Sequence, residues 1–176
     1  MERIASTMKG LYRDRLYDAG GRLLRDSGWR SNTILDGCRV LLAGFMRNEA
    51  ASGIAGLAVS QGDPSWDVGG VPSASPSATT GLINRFNPPI PFADLDAVYL
   101  DQNDQVVAGP GVRLQITATL APGYPAPVAP ATSYPLREFG LFANLNGEEV
   151  MINIIRHPVL HKDEASTLIR VIRLYL

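Results

Sequence analysis

The chain has 176 residues, of which 45% are hydrophobic and 19% are charged, and its formal net charge at pH 7 is −1. A chain of this length buries a core of its own, and the near-neutral charge argues against a nucleic-acid-binding protein, which needs a positive surface to neutralise phosphates. The single cysteine, Cys38, excludes an internal disulfide. No apolar run approaches the roughly 20 residues that cross a bilayer, so we expect no membrane span and synthesis in the cytoplasm.

The N-terminal residues predict a β-hairpin. Residues 11–18 and 22–27 flank the turn sequence Ala19-Gly20-Gly21, in which glycine allows the positive φ that tight turns require. Both arms carry charges on both faces, so the ribbon has little apolar surface to bury. We predict a hairpin arm over residues 1–29 that is either a solvated flap or a strand partner for another chain. Its candidate interface residues are Tyr12, Arg13, Arg15 and Tyr17.

One helix is predicted after this arm. Apolar residues recur at the spacing of one helical face, at Ile34, Leu35, Cys38, Leu41, Leu42 and Phe45. Asn32 or Thr33 is the expected cap, because a short polar side chain accepts a hydrogen bond from the first free backbone amides. The helix is expected to end at residues 48–52. Cys38 lies on the apolar stripe, which favours a buried structural cysteine over a reactive one.

Beyond the helix the hydrophobic period changes to two, which is typical of β-strands. Strands are predicted at residues 54–60, 82–86, 97–101, 105–108, 112–120, 136–143, 150–155 and 167–176. Residues 61–79 and 121–135 are rich in Gly, Pro and Ser and are predicted loops. Residues 30–176 are therefore predicted to form one mainly β domain, an antiparallel sandwich of about seven or eight strands with one packed helix.

The last predicted strand is apolar on both faces, and Arg170 and Arg173 are its only charges. Such a strand is central and covered on both sides. Either the helix and a second sheet cover it, or one face receives a neighbouring subunit. Tyr175 on this strand is a candidate interface residue.

The sequence offers no recognisable catalytic group. No serine or cysteine lies in a nucleophile motif, and no glycine-rich loop connects a strand to a helix as phosphate binding requires. His157 and His161 have the i, i+4 spacing of a helical metal site, but Pro158 follows His157 in a segment between strands. A metal site within one chain, or one shared by three copies, stays an alternative. We expect a non-enzymatic protein without catalytic residues, metal, cofactor or small-molecule substrate.

Three aromatic residues in or beside the loops are candidate binding residues: Trp66, Tyr124 and Tyr134. They stack on sugars if exposed, and they anchor loops if packed on their own domain. Glu138 lies on an otherwise apolar strand and needs a cationic partner, because an unpaired buried carboxylate is costly. Arg156, Arg170 or Arg173 can serve, and Glu138 with Arg170 is the candidate structural ion pair.

The residues YPLREFGLF at 134–142 are similar to the E-x-G-L-F strand of phage tail-fibre-like and baseplate-like structural proteins. In that group a small hairpin, an apolar strand, a lysine-containing turn and a final strand follow. Here residues 147, 150–156, 157–162 and 168–176 resemble those parts, and the segments at 32–45 and 54–62 resemble the opening of the group. The resemblance implies a virion component: an attachment, collar or baseplate domain.

The predicted function is therefore assembly. The chain is expected to form a homo-oligomer, a trimer or ring, and to join other tail, baseplate or fibre proteins in a phage tail or tail-like particle. The alternative from another class is a soluble carbohydrate- or ligand-binding β-module that uses Trp66, Tyr124 and Tyr134.

Overall fold

The computed structural model describes residues 8–176, which are built mainly from antiparallel strands. The first elements are β1 (Lys9–Tyr17), β2 (Leu23–Asp26), β3 (Arg30–Ile34), α1 (Asp36–Met46), β4 (Ala51–Ser60), the one-turn helix α2 (Trp66–Gly69) and β5 (Ile90–Pro91). A 3-10 turn at Phe92–Asp94 leads to β6 (Leu95–Leu100), β7 (Val106–Val107), β8 (Arg113–Leu120), β9 (Ser133–Leu145), β10 (Glu148–Met151), β11 (Asn153–Asp163) and β12 (Thr167–Tyr175). The expected mainly β antiparallel fold is confirmed, with twelve described strands where about seven or eight were expected.

The strands form one sheet in the order β5-β4-β9-β11-β3-β1-β12-β8-β6-β7, with β10 on β9 and β2 on β1. The contact between β11 and β3 is short: only two residue pairs, Asn153 with Ile34 and Ile154 with Thr33, join these strands. The sheet therefore has two halves that are connected through this short ladder. The sheet curls into a half-barrel, and the inner faces of the halves share one core. Tyr12 of β1 packs edge-on against Phe139 of β9, with ring centroids 5.7 Å apart.

Strand β1 lies in the middle of the sheet, so the prediction of a hairpin arm that stands apart from the domain is wrong. All nine residues of β1 pair with β12, and its other edge pairs with β2 and β3. Every second residue is buried, including Tyr12, Asp14 and Leu16. The strand looks solvated in the sequence because one of its buried positions is occupied by a charged residue, Asp14. The β1–β2 hairpin does form, and β2 is its exposed strand; residues 1–7 of the predicted arm lie outside the described residues.

The predicted helix forms, although α1 begins after Ile34 and ends at Met46, before the expected residues 48–52, and it buries Cys38, Leu41 and Gly44. The predicted caps are wrong, because Asn32 and Thr33 belong to β3 and Leu35 occupies the cap position without a side-chain hydrogen bond. Within residues 8–176, no helix is both long enough and apolar enough to pass through a membrane.

The two predicted loops are largely confirmed, and their ends differ from the prediction. Residues 82–86 form no strand and make only one isolated bridge, Arg85 to Ser60. Strand β9 begins at Ser133, within the predicted loop 121–135, because β11 continues through Asp163 and pairs with it there. Backbone pairing between distant segments thus extends strands into sequence that reads as loop.

Candidate functional site

An apolar cleft of about 350 Å³ opens between α1 and the part of the sheet that contains β6, β8 and β12. Helix α1 lies against β4, β9 and β10, and its side chains Cys38, Leu41, Leu42 and Phe45 form one wall of the cleft. Leu41, Ile116 and Leu174 lie at the buried base of this cleft. The cleft therefore lies where the curled sheet fails to close on the helix.

Four large apolar side chains on the rim of the cleft are partly exposed. The exposed fractions are 43% for Phe45, 44% for Phe92, 37% for Tyr99 and 39% for Leu176. They come from α1, the 3-10 turn, β6 and the residue after β12, so the fold gathers them from distant parts of the chain. Apolar groups clustered around a concave surface mark a binding site, unlike apolar groups scattered singly over a surface.

The residues that line the cleft offer mainly apolar contacts. Among the described residues that line it, Cys38 and Tyr99 are the only ones with titratable side chains. Burial raises the pKa of the Cys38 thiol, so at neutral pH it is the protonated form that packs against the helix and sheet. These walls can hold an apolar group by excluding water from it.

On the outer face of the sheet, Ser60, Glu138 and Arg156 form a polar row across β4, β9 and β11, where they are direct cross-strand neighbours. Glu138 is fully buried and accepts hydrogen bonds from Arg156 Nε at 2.8 Å, Ser60 Oγ at 3.0 Å and the Ile83 backbone amide at 2.8 Å. These donors replace the water that the carboxylate loses, and the Ile83 contact attaches the long loop to the sheet. The predicted pairing of Glu138 with Arg170 is wrong, because register places Arg156 beside it.

Arg170 pairs instead with Asp14, its direct neighbour on β1, at 3.2 Å. Arg170 Nη2 also donates to His157 Nε2 at 2.8 Å, so the proton of this imidazole must be on Nδ1, which donates to the Pro158 carbonyl at 2.8 Å. The guanidinium lies 3.7 Å from the Phe139 ring centroid. Burial first, and then the Arg170 charge, lower the pKa of His157 to about 3.

The two histidines do not come together at one site within the chain. His157 is buried beside Arg170, whereas His161 is exposed and its Nδ1 lies 3.3 Å from Ser133 Oγ. Among residues 8–176, no group of three or more His, Cys, Asp or Glu side chains is arranged to hold a metal ion.

Trp66 is an anchor of the long loop rather than an exposed binding surface. Its side chain is buried, and the Arg156 guanidinium lies 5.0 Å from its ring centroid. The next residue, Asp67, forms a bidentate ion pair with Arg137, which lowers the pKa of the Asp67 carboxyl. Arg137 Nη1 also donates to the Gln61 carbonyl at 2.9 Å. Of the two interpretations of Trp66, this packing supports the loop anchor.

The other aromatic candidates also pack on their own chain. Tyr134 and Tyr12 are buried in the core. Tyr124 donates its hydroxyl hydrogen bond to the Pro88 carbonyl at 3.0 Å and packs edge-on against Phe86. Burial raises the pKa of Tyr124 to about 12, so this phenol stays a donor at neutral pH. The predicted aromatic sugar platform is not formed by these side chains.

The remaining candidate interface residues lie at partly exposed positions. Arg13 forms an ion pair with Asp26 across the hairpin, and Tyr175 donates to Asp104 Oδ2 at 3.1 Å. Arg15 and Tyr17 are half-buried on β1. Sequence reasoning missed the cleft, since its rim joins segments that share no pattern. The available signals were Phe45 on the helical stripe and the last strand, which is apolar on both faces.

No protein-family model, no curated protein and no solved structure matches the chain.

Proposed function

We propose that the chain is a structural subunit of a larger assembly, and that a neighbouring subunit inserts apolar side chains into the apolar cleft. The observation that carries the proposal is the partly exposed rim of Phe45, Phe92, Tyr99 and Leu176 around an apolar cavity. Fully burying a large apolar side chain contributes about 1.5–3 kcal/mol relative to leaving it exposed. Because these four side chains are already more than half buried, covering them contributes about 2–5 kcal/mol in total, and the apolar side chains that the neighbour inserts supply the rest of what association costs.

The exposed strand β2 supports the same proposal. Among the described strands it pairs only with β1, and both Leu23 and Leu24 have exposed fractions of 48%. An exposed strand edge with apolar side chains is a surface on which another chain can pair. Assembly through the cleft and this edge would give the homo-oligomer, a trimer or ring, that the sequence predicts.

The resemblance of residues 134–142 to phage tail-fibre-like and baseplate-like proteins supplies the proposed setting. The chain would be made in the cytoplasm and would reach its final place in a virion or tail-like particle. Its role there would be mechanical attachment rather than catalysis.

A ligand-binding module is the second candidate, now through a different surface. Trp66, Tyr124 and Tyr134 pack on their own chain, but the cleft has a volume within the range of about 300–1,000 Å³ typical of small-molecule pockets. In this version an apolar small molecule occupies the cleft of a monomer.

Light scattering coupled to size-exclusion chromatography tests the proposal. We expect wild-type protein to form an oligomer and the double variant Phe45→Ser, Leu176→Ser to elute as a folded monomer. The matched control is Val68→Ser, because Val68 is 96% exposed and does not line the cleft. A wild type that stays monomeric up to its solubility limit refutes self-assembly, and native mass spectrometry of that monomer would then detect a retained apolar ligand.

A further inference from the structure

A second concave site lies where the two halves of the sheet separate. Strands β3 and β11 pair at Thr33 with Ile154 and at Ile34 with Asn153, and there the ladder stops. Beyond it β3 continues beside β1, while β11 continues beside β9. A pocket of about 230 Å³, here called the fork pocket, occupies this divergence, and loop residues 71–74 line its other side.

Five polar and five apolar residues line the fork pocket, and several of the polar ones carry hydrogen-bond donors. Arg156 contributes a guanidinium, and Ser31, Thr33 and Ser73 contribute hydroxyls, whereas no aspartate or glutamate lines it among the described residues. The floor includes the apolar residue Ile154. Such a lining suits a ligand that offers oxygen acceptors at one end and a small apolar body at the other.

Arg156 is held in place with part of its guanidinium unused. Its Nε donates to Glu138, and its guanidinium carbon lies 5.0 Å from the centroid of the Trp66 ring. Neither Nη nitrogen has an acceptor among the described residues, and the side chain is 15% exposed, so solvent and solutes reach it. The two Nη groups of an arginine form a fork that matches the two oxygens of a carboxylate.

We propose that the fork pocket binds the carboxylate of a small organic acid, with Arg156 as the principal contact. Glu138 and Trp66 fix the orientation of the guanidinium before the ligand arrives, which lowers the entropic cost of binding. The hydroxyls of Ser31, Thr33 and Ser73 supply further donors, and the apolar wall receives the ligand's carbon atoms. Because Glu138 already balances the charge of Arg156, directed hydrogen bonds rather than net charge provide the selectivity.

Titration of isotope-labelled protein with isobutyrate, followed by NMR, tests this site. The reporters are the Arg156 side-chain Nε–H signal and the backbone amides of Thr33 and Ile155. We expect saturable shifts, with binding about tenfold tighter than for isobutyramide, the uncharged molecule of the same shape. Shifts that never saturate, or equal affinities for the acid and the amide, would overturn the proposal.

Three variants distinguish isobutyrate binding at the fork pocket from binding elsewhere on the protein. Arg156→Lys keeps a cation for Glu138 but removes the fork, and we expect it to weaken isobutyrate binding about tenfold or more. Ser73→Trp places a large side chain at an exposed position of the loop and should abolish binding even if the lysine variant folds poorly. Arg113→Lys, a matched change at a different surface ion pair, should bind as the wild type does.

Wild-type affinity in both Arg156→Lys and Ser73→Trp would refute the assignment. The double variant Phe45→Ser, Leu176→Ser should still bind isobutyrate, because the fork pocket and the apolar cleft share no lining residue. The two proposals can therefore fail independently.

Discussion

Acidification from pH 7 to pH 5 should destabilise this protein through one buried histidine. His157 is neutral in the folded chain, since Arg170 Nη2 donates to its Nε2 and its Nδ1 donates to the Pro158 carbonyl. Burial and the Arg170 charge lower its pKa to about 3, whereas a histidine in an unfolded chain has a pKa of about 6.5. Between these two values the unfolded chain binds a proton that the folded chain does not, so stability is complete above pH 6.5 and is lost as the pH falls.

The magnitude follows from the size of this pH interval. Each pH unit below the unfolded pKa removes about 1.4 kcal/mol from the free energy of unfolding, so the interval from pH 6.5 to pH 5 removes about 2 kcal/mol. The result does not depend on the exact folded pKa as long as His157 stays neutral at pH 5. Burial raises the pKa of the neighbouring Asp14, although the charge of Arg170 opposes this rise. A carboxyl group with a raised pKa binds a proton more readily in the folded chain, so acidification increases its contribution to stability.

Urea unfolding at the two pH values, followed by circular dichroism, measures the effect. His157→Gln should show a pH-dependent loss about 2 kcal/mol smaller than the wild type, a difference in which the Asp14 contribution largely cancels. His161→Gln is the matched control, because His161 is exposed, and it should keep the wild-type dependence. Equal pH dependence in the wild type and His157→Gln would refute the neutral, buried state of this imidazole.

Two further stability predictions use the same unfolding assay. Glu138→Gln removes the buried carboxylate that accepts from Arg156, Ser60 and the Ile83 amide, and it should cost about 2–3 kcal/mol. Glu149→Gln at a partly exposed ion pair should cost under about 1 kcal/mol, and equal costs would contradict the buried pairing. Gly140→Ala would press a methyl group against the Asn153 backbone oxygen and should lower the free energy of unfolding by about 1–3 kcal/mol. Gly81→Ala is the control, because a methyl group there has nothing within 4 Å and should leave stability nearly unchanged. An unchanged stability in Gly140→Ala would mean that β9 packs more loosely on β11.

The order of elements could be predicted from the sequence because each depends on local periodicity. The apolar spacing around Cys38 and Leu41 places α1, and the strict alternation of residues 112–120 places β8. The Asn146-Gly147 turn joins β9 to β10 as glycine's positive φ allows. For Trp66 the sequence left two interpretations open, and the buried side chain supports the loop anchor.

Partner choice could not be predicted, since it depends on register between strands that lie far apart in the chain. From the sequence, Asp14 looks like a solvated charge and Arg170 like a partner of Glu138, until β1 and β12 pair and place Asp14 and Arg170 opposite one another. In the same way, Glu138 finds Arg156 because β9 and β11 pair in one register, and a shift of one residue would turn either side chain to the other face.

The amino-acid sequence by itself determined that the chain is a mainly β domain with one substantial helix, because hydrophobic period and turn chemistry are properties of neighbouring residues. Only the tertiary structure decided which charges are buried together, and it alone brought Phe45, Phe92, Tyr99 and Leu176 around one cleft and opened the fork pocket between β3 and β11. The physical reason is that these features form where the curvature of the sheet brings distant segments of the chain together or separates them. A pattern of neighbouring residues carries no information about such contacts.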